Sequence, residues 1–201
     1  AEKILHPGSI IKDNVFETIR VGIIDQPCTF FRRKCIESFF PLDDSLRYVM
    51  DRQLWWSYLL KYGQADILQT DEVFTNFRLH IQSKSIGEGD LFEFEFDQLK
   101  LGLFRQLHAP EILEQQLSVN VNEAKVTWDV AIKPANFILA AFASFFAERH
   151  YVKDELNDTS KLMKHVRKWK QWDMNKKEWK LWLAANLLPA SFIMYLKKLK
   201  Q

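Results

Sequence analysis

Three strings hold the residue types from which a reaction site can be built: Gln26-Pro-Cys-Thr-Phe-Phe-Arg-Arg33, Phe40-Pro-Leu-Asp-Asp-Ser-Leu-Arg-Tyr-Val-Met-Asp-Arg-Gln-Leu-Trp55, and Phe77-Arg-Leu-His80 followed by Ser83-Lys-Ser85. They offer a carboxylate in Asp51 and a cation beside an imidazole in Arg78 and His80. Read as a strand, residues 72–80 alternate, with Val73, Thr75, Phe77 and Leu79 on one face and Phe74, Asn76, Arg78 and His80 on the other. Arg78 and His80 then point the same way. Each of these residues also has a quieter role. An Asp just before a helix is a standard N-cap worth about 1 kcal/mol. A lone strand His is commonly a hydrogen-bonded structural residue, and aromatics at helical spacing usually belong to the core. Trp55 is assigned there, and Trp56 is left open.

In this order and spacing the strings resemble the C-terminal half of family 2 glycosyltransferases of the GT-A fold. There a Gln-Pro-x-Thr-Phe-Phe-Arg-Arg strand precedes a Leu-Asp-Glu-Ser-Leu-x-Tyr-x-x-Asp-x-x-Leu-Trp segment and an Arg-x-His strand. The resemblance covers roughly residues 15–86. It implies an inverting transfer of a sugar from a nucleotide-sugar donor to the hydroxyl of a sugar or lipid-linked acceptor, in cell-surface polysaccharide or glycolipid synthesis. Such a reaction needs a base at the acceptor oxygen and positive charge at the departing diphosphate. By the resemblance, Asp51 is the base, Gln26 and Thr29 lie along the acceptor cleft, and Trp56 can stack on a sugar face. His80 lies near the Mg²⁺ or Mn²⁺ and the diphosphate, whose charge Arg78 could neutralise.

The sequence departs from the family at two places. Asp51 is followed by Arg52 and Gln53, where the family has an aromatic residue and a second acid. The nucleotide-binding half with its metal-holding Asp-x-Asp is also missing, since Asp43-Asp44 is the only similar string and stands in the wrong place. A fragment of a longer enzyme or a degenerate descendant is expected, unable to bind donor or turn over alone.

The elements that must position these residues are drawn from a chain of 201 residues, 47% hydrophobic and 27% charged, with six Gly and six Pro. That is a globular composition, expected to remove roughly 70% of the unfolded chain's surface from water. Cys28 and Cys35 have no second pair and no nearby His, which argues against a disulfide framework or a zinc site and for a reducing cytoplasm. Strand-like runs at residues 26–31, 65–68 and 72–80 alternate with short helices. Leu54, Trp55, Tyr58, Leu59 and Tyr62 predict a helix over about residues 52–62, ended by Gly63. Residues 83–89 read as a linker, after which the periodicity is helical. Phe92, Phe96, Leu99 and Leu103 form a stripe, Pro110 and Pro134 suit first helical turns, and residues 137–147 are apolar all round, as in a buried helix. Asp158-Thr-Ser is read as the cap of a helix over about residues 160–172, and the last helix, about 175–200, should kink or break at Pro189.

The fold expected is therefore α/β: a small mixed sheet with helices over residues 1–86, the acceptor side of a GT-A domain, then a helical domain over 87–201. The net charge of +2 hides an asymmetry. Residues 153–201 hold twelve Lys/Arg against five Asp/Glu, a net of +7, which leaves −5 for the rest. Four of the seven tryptophans, Trp169, Trp172, Trp179 and Trp182, lie in this basic tail. The alternative function is accordingly a non-catalytic helical module whose Lys164, Arg167, Lys168, Trp169, Lys170 and Trp172 dock on an anionic membrane or a partner helix. The two readings are compatible. The uncharged run Leu181 to Leu196 has sixteen residues, about 24 Å as a helix and too short to cross a bilayer. Ala1 to Gly8 has no signal-peptide pattern, and a start on Ala suggests processing or a cut chain. The expected location is the cytoplasm, with possible contact at the inner face of the cell membrane. Nucleic acid is not expected as a partner, since neither a Gly-aromatic RNA motif nor a helix-turn-helix signature is present.

Overall fold

A computed structural model describes residues 10–22, 26–75 and 88–188. It is helical, 59% of it, and contains no β-strand among the described residues. The expected α/β architecture with a GT-A-like sheet is therefore corrected. Residues 26–31 form a 3₁₀ turn, Gln26–Cys28, followed by irregular chain, and residues 65–68 and 72–75 are turn or irregular. Alternation makes a strand only where a neighbouring strand completes the ladder. Here the aromatics of the first run are taken up by a helix instead: Phe31 packs edge-on to Trp55 at 6.2 Å and against Tyr58 at 5.9 Å. Residues 76–87, which include the rest of the third run and most of the linker, lie outside the described residues, as does Pro189.

The chain forms two units, one from Ala1–His108 and Leu117–Ile132 and one from Ala109–Gln116 and Lys133–Gln201. The first holds α1 (Val15–Val21), α2 (Arg33–Ile36), α3 (Met50–Tyr62) and α4 (Gly89–Gln106). The predicted helical stripe of α4 thus belongs with the strings of residues 26–62. At its centre Trp56 is fully buried, donates its indole N–H to the Ile19 carbonyl at 2.9 Å, and packs against Phe96 of α4 and Trp128. Residues 117–132 have no regular structure but are pinned along the unit. Asp97 accepts from both the backbone N–H and the hydroxyl of Ser118, the Trp128 N–H meets the Gln106 amide oxygen at 2.8 Å, and the Ala131 and Ile132 N–H groups meet the Leu60 carbonyl.

α1 ends at Gly22, whose φ of +63° is the left-handed conformation that side chains disfavour. A Cβ there would stand 2.6 Å from Cζ of Phe96, a ring held between Trp56 and the Arg52 guanidinium. Gly22→Ala is expected to destabilise the unit by about 2 kcal/mol. Urea denaturation checks this, and an unchanged midpoint would mean that Phe96 yields freely.

The second unit packs α6 (Asn136–Val152), α7 (Leu156–Lys170) and α8 (Lys176–Leu187) against one another, preceded by the short α5 (Glu111–Glu114). α6 is the predicted buried helix, with Ile138, Phe142 and Phe146 in the core. α7 begins four residues before the expected start, so Asp158 sits in its first turn and not at its cap. α8 opens on an Asn-x-x-Glu capping box: the Asn175 side chain accepts from the Lys177 and Glu178 N–H groups, and Glu178 accepts from the Asn175 N–H at 2.8 Å. Cations of the basic tail are engaged within this unit, Lys161 with Asp158 and Lys177 with Glu148 among them. Lys170 is buried against Glu178 at 2.7 Å, and the Arg167 guanidinium lies 4.7 Å from the ring of Trp172 and 4.6 Å from that of Trp179. Among the described residues no helix is long and apolar enough to cross a membrane.

Candidate functional site

In the first unit, residues from three segments converge on one cleft of about 90 Å³. Gln26 and Thr29 come from the 3₁₀ turn, Leu42 from the loop before α3, and Met50, Asp51 and Leu54 from the start of α3 itself. The turn is closed by the Thr29 N–H on the Gln26 carbonyl at 3.1 Å, which sets both residues on the same side. Phe31, also in the lining, anchors the turn on α3 through Trp55 and Tyr58. Ligand pockets commonly measure roughly 300–1,000 Å³. This cleft is smaller, and suits the hydroxyl-bearing edge of a molecule better than a whole nucleotide sugar.

Asp51 does not cap α3. It occupies the second helical position, and its Oδ1 accepts from the Arg52 N–H at 2.8 Å. The chain entering the helix is held instead by Glu95 of α4, whose two carboxylate oxygens accept the N–H groups of Arg47 at 2.9 Å, Tyr48 at 2.6 Å and Val49 at 3.2 Å. Because a carboxylate from another helix does this work, Asp51 can face the cleft. Burial raises the Asp51 carboxyl above its ordinary value of 3.8, against the opposing pull of the Arg52 N–H and guanidinium. Arg52 turns away to lie 4.3 Å over the Phe96 ring.

Asp43, eight residues earlier, goes the opposite way. Burial would raise it, but hydrogen bonds from the Ser45 hydroxyl and N–H and from the Lys125 N–H outweigh that and hold it below 3.8. The two aspartates are thus shifted in opposite directions by their surroundings. A raised carboxyl favours the folded state while protonated, so its cost to stability is absent below pH 3.8 and grows as pH rises through the folded value. Asp51→Asn keeps an oxygen for the Arg52 N–H and never ionises. It is expected to melt at a higher temperature than the natural protein at pH 7 and at the same temperature below pH 3.8. Thermal melts at the two pH values check this, and equal melting temperatures at pH 7 would remove the desolvation argument.

The remaining expected site residues are placed as follows. Trp56 has no exposed face to offer a sugar and serves as the buried centre of the unit. Trp55 is 6% exposed and also in the core. Arg78 and His80 lie outside the described residues. Among the described residues no group of three His, Cys, Asp or Glu comes together that could hold a metal ion. Glu95 and Asp43, which shape the site, were not expected from the sequence. The N–H groups that Glu95 accepts and the Lys125 N–H on Asp43 stand 46–48 and 82 residues away, too far for local spacing to reveal, whereas the Asp43 bonds from Ser45 are local. Set against models of known protein families, curated proteins and solved structures, the chain matches none.

Proposed function

We propose that the cleft at Asp51 is the acceptor side of a glycosyl-transfer site. The observation that carries this reading is the convergence of Gln26, Thr29 and Asp51 on one cleft where burial raises the only carboxyl of the lining. A desolvated, raised carboxylate is the better base, and functional sites are where such groups concentrate. In the reaction, Asp51 takes the proton of an acceptor hydroxyl while its oxygen bonds to the anomeric carbon of a nucleotide sugar. The bond from that carbon to the diphosphate breaks with inversion, and the nucleoside diphosphate leaves with the electron pair. Gln26 and Thr29 supply an amide and a hydroxyl that can orient the acceptor.

The cleft is too small to house the donor as well, so the nucleotide must be held by other parts of the protein. The test is therefore made on the protein as its source organism produces it, incubated with a panel of uridine and guanosine diphosphate sugars and membrane or polysaccharide acceptors. Release of nucleoside diphosphate that depends on acceptor supports the reading. Release unaffected by Asp51→Asn, or no transfer from any donor of the panel, would overturn it.

A further inference from the structure

The second unit carries a larger cavity, about 310 Å³, lined by the start of α6 and by the turn between α7 and α8. Its lining combines the aromatic residues Phe137, Trp169 and Trp172 with Asn136, Gln171 and Asp173. Trp172 is 79% exposed, a large apolar surface left in water. It is nonetheless held, with the Arg167 guanidinium 4.7 Å from its ring and Trp179 6.3 Å away. Between the two lining tryptophans, Gln171 adopts φ 49° and ψ −106°, a conformation that only glycine takes without strain. The Gln171 N–H on the Arg167 carbonyl and the Arg167 guanidinium on the Gln171 carbonyl keep it there. Backbone strain held by such contacts concentrates at ligand sites.

The charges of the cavity narrow the ligand. Lys170 also lines it, but its ammonium is neutralised by Glu178 at 2.7 Å with both groups buried, and the neighbouring Arg167 guanidinium is engaged by the Gln171 carbonyl and the Trp172 ring, so among the described lining residues no cation is left for an anion. Asp173 adds an exposed carboxylate, which repels one. Flat apolar faces beside amides and a carboxylate match a ring with an apolar C–H face and a hydroxyl-bearing edge. We propose that this cavity binds a neutral pyranose, its C–H face against an indole and its hydroxyls toward Asn136, Gln171 and Asp173. The site belongs to the second unit, and its assignment does not rest on the proposed transfer.

Saturation-transfer NMR on the full chain with methyl glucoside, methyl galactoside and methyl N-acetylglucosaminide tests this. At least one probe should bind saturably, with a dissociation constant of about 1–10 mM. Trp172→Ala, at an exposed position, should weaken it roughly tenfold, Asp173→Asn should weaken it several-fold, and Asp51→Asn should leave it unchanged. Absence of saturable binding by all three glycosides, binding indifferent to both Trp172→Ala and Asp173→Asn, or displacement of the sugar by inorganic phosphate would overturn the assignment. Because Asp51→Asn reads the other site, loss of one reading leaves the other standing.

Discussion

Asp51→Asn is expected to lower acceptor-dependent turnover by about 10²–10⁴-fold, the range over which a positioned general base acts. Asparagine keeps the size and the oxygen that meets the Arg52 N–H at 2.8 Å, so the loss isolates the missing proton acceptor from any change of shape. The donor should still bind, because nothing in the cleft of about 90 Å³ has room for it. In the natural protein the acidic limb of kcat/KM should fall above pH 3.8, since the desolvated Asp51 must lose its proton before it can accept one. The same burial that makes Asp51 a stronger base makes it costly to ionise, so the substitution should remove activity and raise stability at neutral pH together. Such opposition is characteristic of a functional residue; a structural cap would lose stability on substitution. Turnover within a few-fold of the natural protein's would exclude Asp51 as the base.

Much of the helical layout was legible because it rests on local period. The 3.6-residue recurrence of Leu54, Tyr58 and Tyr62 marks α3, the stripe from Phe92 to Leu103 marks α4, and an apolar run of about eleven residues marks α6. The strand readings failed at residues 26–31, 65–68 and 72–75, because a strand is a property of a pair. Pro27 also sits within the first run, where the chain turns and does not extend. The candidate site fared differently. Gln26, Thr29 and Asp51 meet without any sheet, because the aromatic contacts of Phe31 with Trp55 and Tyr58 bring the turn onto α3. Spacing assigned Trp55 to the core and left Trp56 open; both are buried, Trp55 beside Phe31 and Trp56 beside Phe96 and Trp128. The helix expected from about residue 175 does begin there, and its Asn175-x-x-Glu178 capping box supplies the reason.

Removing the carboxylate of Glu95 should have the largest effect on stability. Glu95 is 9% exposed and accepts three backbone N–H groups, from Arg47, Tyr48 and Val49. Hydrogen bonds to a charged acceptor contribute about 1.5–3 kcal/mol each, and a buried donor left unmet costs about 1–3 kcal/mol. These terms overlap, and water reaches part of the loop, so Glu95→Ala should cost about 3–5 kcal/mol in urea denaturation. Glu95→Gln keeps one acceptor oxygen but turns an amide NH₂ toward backbone donors, and should cost about 1–3 kcal/mol. The consequence for Asp51 is the sharper test. With the entry to α3 released, the freed N–H groups can turn to the Asp51 carboxylate in the first turn of the same helix, and hydrogen bonds to its charged form pull its pKa down. In Glu95→Gln the acidic limb of the pH–rate profile should therefore move down toward pH 3.8 while the folded protein persists. A merely structural role for Glu95 would lower stability and leave that limb in place. A shift without loss of stability would mean that Glu95 acts on Asp51 through charge and not through the loop it holds.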